Sequence, residues 1–457
     1  MSETTLDLTK LTEQVDGPVF VPGEAGYADE TAGFQTGVRH RPAVIVGATS
    51  QADVVAAVEF AGLHGLAVAV QATGHGLTVP AEGGLLISTR RLTGIEVDAA
   101  ARTVRIEAGV LWGAVIAEAA KHDLAPLSGS SPGVGAVGYT LGGGFGLLSR
   151  QFGLATDHVR ALDVVTADGR ARHVTAESEP DLFWALRGGR DNFGVVTSLE
   201  VGLVPVTRLY GGGLYFDAAQ IGDVLRGWRD WTATVPDELN SSIALIPFPD
   251  LPMMPADLRG RHVAHLRIAF TGSFEEGERL VAPLRAAGPV LKDTLGELPF
   301  TESGSIASEP PHPHPYHGDN ATVSELTDPM IDSILELTGP GSPKPSVLII
   351  DLLGGALSRT PDVPGVGWDR SARFTVRALA VIEEDGVTAV RRRHGLLFEA
   401  LRPRTTGRLL NFVYGESAAG KHAATVYPAA ELRRLAALKA VHDPENLFRV
   451  NHNLVTG

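Results

Sequence analysis

His75 stands between two glycines in VQATGHGLTVP, Val70 to Pro80, directly after an apolar run. Gly74 and Gly76 leave the backbone free to turn and put no bulk beside the ring. An imidazole on such a turn is either a solvated histidine or a nucleophile, because its neutral form attacks well near pH 7. A second stretch, SGSSPGVGAVGYTLGGGFGLLSRQFGL, holds eight glycines between Gly129 and Gly146. Glycine at this density makes tight turns or lets backbone N–H groups close on an anion. The spacing of a Rossmann fingerprint is absent, and so is a Walker lysine. Asp351 lies inside SVLIIDLLGG, an apolar run that reads as a central strand. A carboxylate there is costly unless it is paired, for which Arg377 is available, or faces a cavity as a catalytic base. His312, His314 and His317 alternate with prolines in PPHPHPYHG. No cysteine or clear acidic partner completes a metal set, so no metal is expected. The loop reads as an ordered surface loop or as the lip of a substrate mouth, with Tyr316 and His317 near the ligand.

The elements that must position these residues follow from periodicity. RPAVIVGATS is a short strand closed by turn residues. Ser50-Gln-Ala-Asp53 then reads as a capping box, with Val54, Val55, Val58 and Ala61 at helical spacing and Gly65 as the stop. LAVAVQA is the next strand and delivers the Gly-His-Gly turn. GGLLIST, IEVDAAARTVRIEAG and ALDVVTADGRARHVTA add strands, the last with a hairpin signal. LWGAVIAEAAKHDL is helical. After Val204-Pro205-Val206 the texture changes. HVAHLRIAFTG, KPSVLIIDLLGGAL and ARFTVRALAVIEE read as strands, and SFEEGERLVAPLRAAG and GVTAVRRRHGLLFEALR as helices between them. That is an antiparallel sheet backed by helices. The tail, PAAELRRLAALKAVHDPENLFRVNHNL, is a basic helix followed by a structured end. No repeats occur. The fold class is α+β, with one domain over 1–205, completed by 421–457, and a second over 206–420.

Composition narrows the function. The chain has 457 residues, 44% apolar and 20% charged, with a net charge of −14 and no cysteine. It can bury large cores. Its acidity argues against nucleic acid, which wants a basic patch. The absence of cysteine excludes disulfides, thiolate metal sites and any cysteinyl cofactor link. The polar, acidic N-terminus carries no signal-peptide pattern, and no apolar run is long enough to span a bilayer. A cytoplasmic protein, monomer or homodimer, with no membrane partner is expected.

The ordered motifs, taken together, resemble one family. RPAVIV, QATGHG, SPGVGAVGYTLGGGFGLLSRQFGLATDHV, VVTADG, DLFWALRGGRDNFGVVTSLE and DPENLFRVNHNL run along nearly the whole chain. They resemble the FAD-linked oxidoreductases of the berberine bridge enzyme type, in the vanillyl-alcohol oxidase (PCMH) superfamily, and look closest to bacterial members such as the 6-hydroxynicotine oxidases. The resemblance implies a two-domain PCMH-type fold with FAD between the domains. It implies that His75 bonds to the flavin 8α carbon, and that a small organic substrate (an alcohol, sugar, cyclic amine or secondary metabolite) gives hydride to flavin N5. The same resemblance places FAD on Gln71, Ala72, Thr73, Gly74, Gly76 and Leu77. A second set is Ser131, Pro132, Gly135, Ala136, Gly138, Tyr139, Gly142, Gly143 and Gly146. A third is Gly194, Val195, Val196, Asn451 and Asn453.

Departures from the family pattern matter. Many relatives have a second flavin link from a cysteine where this chain has Ser131, so one covalent bond is implied. Tyr139 stands where many have a histidine; it either packs or stabilises negative charge at the flavin N1–C2 edge. The Tyr-x-Asn-Tyr motif of sugar-oxidising relatives is here Leu409-Leu-Asn411-Phe412, and leucine cannot take a proton. The base therefore falls to Asp351 first, then to Tyr414, Glu416 or His317. Oxygen is the expected electron acceptor. A dehydrogenase using another carrier, such as a deazaflavin, and an idle flavin-containing binding protein are the alternatives.

Overall fold

The helix Gln51–His64 sets the first layer. Ser50 caps it by accepting from Asp53 N–H at 3.2 Å, and Gly65 ends it at φ +64°. Asp53 does not return the bond as a capping box would. Its carboxylate instead accepts from the backbone N–H groups of Asp16, Gly17 and Thr49 and from the Thr49 hydroxyl, at 2.7–3.2 Å. These donors hold the carboxyl below its ordinary range although burial pulls the other way. They also tie the N-terminal segment to the first sheet.

The computed structural model describes residues 6–77, 79–383, 386–414 and 423–455. Among them the chain forms three sheets, matching the expected mixed α+β class. The first has the order Val19–Phe20, Val44–Gly47, Leu85–Ser88, Val68–Gln71; the last three strands are parallel. Parallel pairing needs a crossover, and Gln51–His64 supplies it, burying Val54, Ala57, Val58 and Ala61. The second sheet is antiparallel, in the order Ile95–Asp98, Thr103–Glu107, Val195–Gly202, Val159–Val165, Ala171–Thr175. The chain leaves it after Gly202 and enters the third sheet at Arg208.

That third sheet has nine strands, all paired antiparallel. Its central order is Arg208–Asp217, His262–Phe270, Leu239–Pro247, Val347–Leu352, Phe374–Val381, Tyr316–Val323. The period of two splits every strand between two environments. Leu266, Ile268, Ile243, Leu348, Ile350, Val376 and Val323 face the helices Ile221–Trp231, Phe274–Arg285, Asp328–Thr338 and Gly386–Leu401 in one apolar core. Arg267, His265, Ser242, Asp351, Arg377 and Tyr316 take the opposite parity and face away from those helices.

The C-terminal helix Ala429–His442 returns to the first half of the chain. Lys439, fully buried, donates to Asp443 Oδ2 at 2.6 Å and to the carbonyls of Asn192 and Phe448 at 2.8 and 2.9 Å. Asp443 in turn accepts from the N–H groups of Leu447 and Phe448. A buried ion pair is tolerated when its remaining donors and acceptors are met in this way. Among the described residues no helix is long and apolar enough to cross a membrane.

Candidate active site

His75 leaves the end of strand Val68–Gln71 on a turn whose Gly74 has φ +68°. A Cβ there would sit 2.6 Å from Gly33 Cα, so this position needs glycine. The N-terminal segment lies alongside: Phe34 and Gln35 N–H donate to the carbonyls of Thr73 and Gly74. Phe34 stacks flat on the His75 ring, centroids 3.9 Å apart and 12° between planes. His75 Nδ1 shares a 2.9 Å hydrogen bond with the Thr73 hydroxyl, and Tyr316 Oη donates to the His75 carbonyl at 2.6 Å. Burial lowers the imidazole pKa to about 4, with Glu309 and His314 acting in opposite directions. The ring is therefore neutral at pH 7.

The second glycine loop meets the first. A Cβ on Gly135 would lie 3.5–3.7 Å from Thr73 and Ala72. Ala136 opens a short helix to Leu141, and Gly143 and Gly144 follow at φ +113° and +79°. Asn411 pins this loop from outside: its amide donates to Tyr139 O, and its Oδ1 accepts from Gly144 N–H, both at 2.9 Å. Asn320 in turn fixes the segment carrying Asn411, donating to Leu409 O and accepting from Leu409 N–H. Gly138 looks onto open space, with nothing within 4 Å of where a side chain would begin.

Arg190 lies between the two loops. Its guanidinium is 3.8 Å from the Cβ position of Gly76 and 3.0–3.1 Å from that of Gly142. Its Nε is buried without a hydrogen-bond partner. Its backbone, at φ +55° and ψ −147°, is one that side chains rarely adopt.

The other expected cofactor residues are spread around this centre. Gln71 is buried and donates to Ala32 O, with Oε1 unpartnered. Leu77 is buried, Ser131 is half-buried and Pro132 is exposed, packed towards Gly304. Gly146 could not carry a side chain, because a Cβ would fall 2.0 Å from Ser128 O. Gly194 is similarly crowded by Val165 O, while Val195 and Val196 send their side chains into two apolar cores. Asn451 is buried with an unpartnered Oδ1, and Asn453 caps Val455 N–H.

The expected catalytic residues separate. Asp351 and Arg377 form a bidentate ion pair at 2.9 and 3.1 Å on the open face of the nine-stranded sheet. Arg377 lies over the Phe412 ring at 4.2 Å. Tyr414 packs edge-on to Tyr316, centroids 5.7 Å apart; burial pushes its hydroxyl pKa up, against the pull of Arg377 and Arg190. Tyr139 turns inward, its ring against Gly129, Gly144 and Gly146 and edge-on to Trp112, with a buried, unpartnered hydroxyl. His317 does not join the group. One residue after Tyr316, it points to the helix side and stacks on His394 at 5.5 Å. Glu416 lies outside the described residues.

The residues present fit a flavin. A neutral histidine sits on a turn, a glycine loop beside it opens onto space, and polar atoms of Arg190 and Gln71 stand unpartnered beside them. A cradle of this kind, facing the open side of an antiparallel sheet, has the form that a flavin-carrying oxidoreductase requires. Residues 42–175 match the family described as an FAD binding domain. (R)-6-hydroxynicotine oxidase of Paenarthrobacter nicotinovorans is 28% identical over 96% of this chain and 97% of its own. Chitooligosaccharide oxidase of Gibberella zeae is 25% identical over 95% and 92%. The crystal structure of 6-hydroxy-D-nicotine oxidase from Arthrobacter nicotinovorans superposes with a TM-score of 0.83 at 25% identity, over 98% of this chain and 100% of that one. The chain is an FAD-linked oxidoreductase, similar over nearly its whole length to enzymes of the PCMH/vanillyl-alcohol oxidase superfamily and sharing its fold with the berberine bridge enzyme-like proteins.

Proposed function

We propose that this enzyme is an oxidase with a single covalent link from His75 to FAD, acting on a small organic substrate. In this reading residues 1–205 with 421–457 hold the cofactor, and 206–420 present the substrate. Bound FAD supplies the two-electron redox chemistry. The observation that carries the reading is His75 itself. Its ring is neutral, oriented by Thr73, covered by Phe34, and placed where the two glycine loops meet. Those are the requirements of a histidine nucleophile.

The chain's other residues have separable tasks. Tyr316 and Phe34 fix the His75 turn, and Asn411 holds the second loop against it. Asp351 takes the proton from the substrate's O–H or N–H. Arg377 occupies one side of its carboxylate and fixes its direction, and the remaining lone pairs stay available to accept. Tyr414, beside Arg377, is the second candidate for that role. Phe412 and Tyr414 cover the open face of the sheet and limit water.

Acid precipitation of the purified protein tests the tether. The yellow colour should stay with the chain, and His75→Ala should release it to the supernatant. Wild-type flavin that washes away after denaturation would overturn covalent attachment.

A further inference from the structure

One buried cation on the open face of the sheet is left over by the mechanism. Arg267 is 7% exposed and lies on strand His262–Phe270 with its side chain opposite the helix-backed core. Its Nε–H donates to His265 Nδ1 at 3.2 Å, and Nη2 donates to the Ala307 carbonyl at 3.2 Å. Both acceptors are neutral, since burial holds the His265 pKa well below its ordinary value. No carboxylate of the described residues forms an ion pair with Arg267. Asp351 is taken bidentately by Arg377, and Glu309 accepts the Ser130 hydroxyl at 2.8 Å. A guanidinium out of water with no carboxylate bonded to it is costly, and Glu309 and Asp351 attract it only from a distance, with Arg377 opposing them. The cost is met when a ligand brings the charge.

The space beside it is open. Ser242 is the cross-strand partner of Arg267 on one side and of Asp351 on the other. Both flanking residues are buried, yet Ser242, on a central strand, stays half-buried and its hydroxyl makes no hydrogen bond among the described residues. Room therefore lies above it. Arg267 and Asp351 are two strands apart, about 10 Å between backbones. A group held at Arg267 is thus a few bonds from one presented to Asp351.

We propose that the substrate carries a carboxylate, bound by Arg267 with Ser242 donating a second hydrogen bond, so that the enzyme oxidises an organic acid at an alcohol or amine a few bonds from that carboxylate. This rests on the oxidase reading for the site's location. Arg267 offers a carboxylate a charge-assisted contact that an isosteric amide cannot match.

The test uses holoenzyme and three matched pairs: acetate and acetamide, benzoate and benzamide, phenylacetate and phenylacetamide. Binding is read by the flavin difference spectrum and, independently of flavin, by the shift in melting temperature. At least one acid should bind about tenfold or more tighter than its amide, and Arg267→Gln should erase that preference while Arg267→Lys keeps part of it. If every amide binds as well as its acid, or if Arg267→Gln binds the acid like wild type, the proposal fails. Should Arg267→Gln not fold, the wild-type comparison of acids with amides decides alone. A protein that carries no flavin would sink the oxidase reading instead, and the melting shifts would still judge Arg267.

Discussion

Attachment of FAD to His75 should persist in acid where an ordinary histidine would have stopped reacting. The attacking imidazole must be neutral. Its pKa is lowered to about 4 by burial under Phe34 and the loop 312–316. At pH 5 an imidazole of ordinary pKa is about 3% neutral, whereas one titrating near 4 is about 90% neutral. The difference is roughly thirtyfold in reactive form. Apoprotein from a riboflavin-limited host, incubated with FAD at pH 4–8 and quenched in acid, would report attachment as in-gel flavin fluorescence. The rate should hold between pH 8 and 5 and fall only towards pH 4. Phe34→Ala uncovers the ring and should move the midpoint back towards 6.5. The same shift has a stability counterpart. The folded pKa lies below the unfolded one, so the stabilisation is complete above pH 6.5 and is lost as pH falls to 4. It amounts to at most about 3 kcal/mol, less what solvent screens at a half-buried ring. A wild-type midpoint near 6.5 would refute the burial argument.

Asp351→Asn should leave flavin content near wild type and slow reduction of the flavin by roughly 10²–10⁴ in anaerobic stopped-flow; an unchanged rate moves the proton to Tyr414. Arg190→Gly relieves a backbone conformation that costs about 1–3 kcal/mol, so the melting temperature should hold or rise, and a clear fall would make the guanidinium a structural support. Intact-mass measurement should show one flavin per chain, and none attached in His75→Ala, which would exclude Ser131 as a second link. Reduced enzyme mixed with air-saturated buffer should regain its flavin absorbance within seconds and release hydrogen peroxide; recovery over minutes favours a dehydrogenase.

Periodicity and turn residues made much of the scaffold legible. Gln51–His64 starts at Ser50 and stops at Gly65, and the Asp-Gly hairpin joins Val159–Val165 to Ala171–Thr175, because local chemistry decides these features. The same rules suggested a capping box, but Asp53 was drawn to three backbone N–H groups brought by the fold, two of them more than thirty residues away. The strand Tyr316–Val323 starts directly after a proline loop, which hid it, and its register decides that Tyr316, not His317, meets His75. Phe34 and Arg267 carry no motif of their own, and Arg190 and Asn411 lie inside motifs that gave neither a role. Arg190 had one faint sign: it directly follows a Gly-Gly pair, in a turn where a left-handed backbone is at home. Asp351 stood out because a charge in an apolar strand must be answered. Its partner Arg377 could be named in advance, but whether the pair faced solvent, core or cavity was a question of sheet parity.

The clamp around Lys439 has a consequence for the order in which the protein is made. Asn192, whose carbonyl it holds, leaves the ribosome 247 residues before Lys439 does. At about 5–20 residues per second, the interval is roughly 12–50 s. Through that time Asn192 and the helix Pro180–Gly189 before it stand without the helix Ala429–His442 that packs on them. The Asn192 carbonyl therefore waits for its buried donor long after the Gly-His turn has been made. A nascent chain stalled before Ala429 would leave uncovered the apolar surface around Leu182, Leu186 and Phe193 that Leu435 of that helix completes, and would leave the Asn192 carbonyl without its lysine.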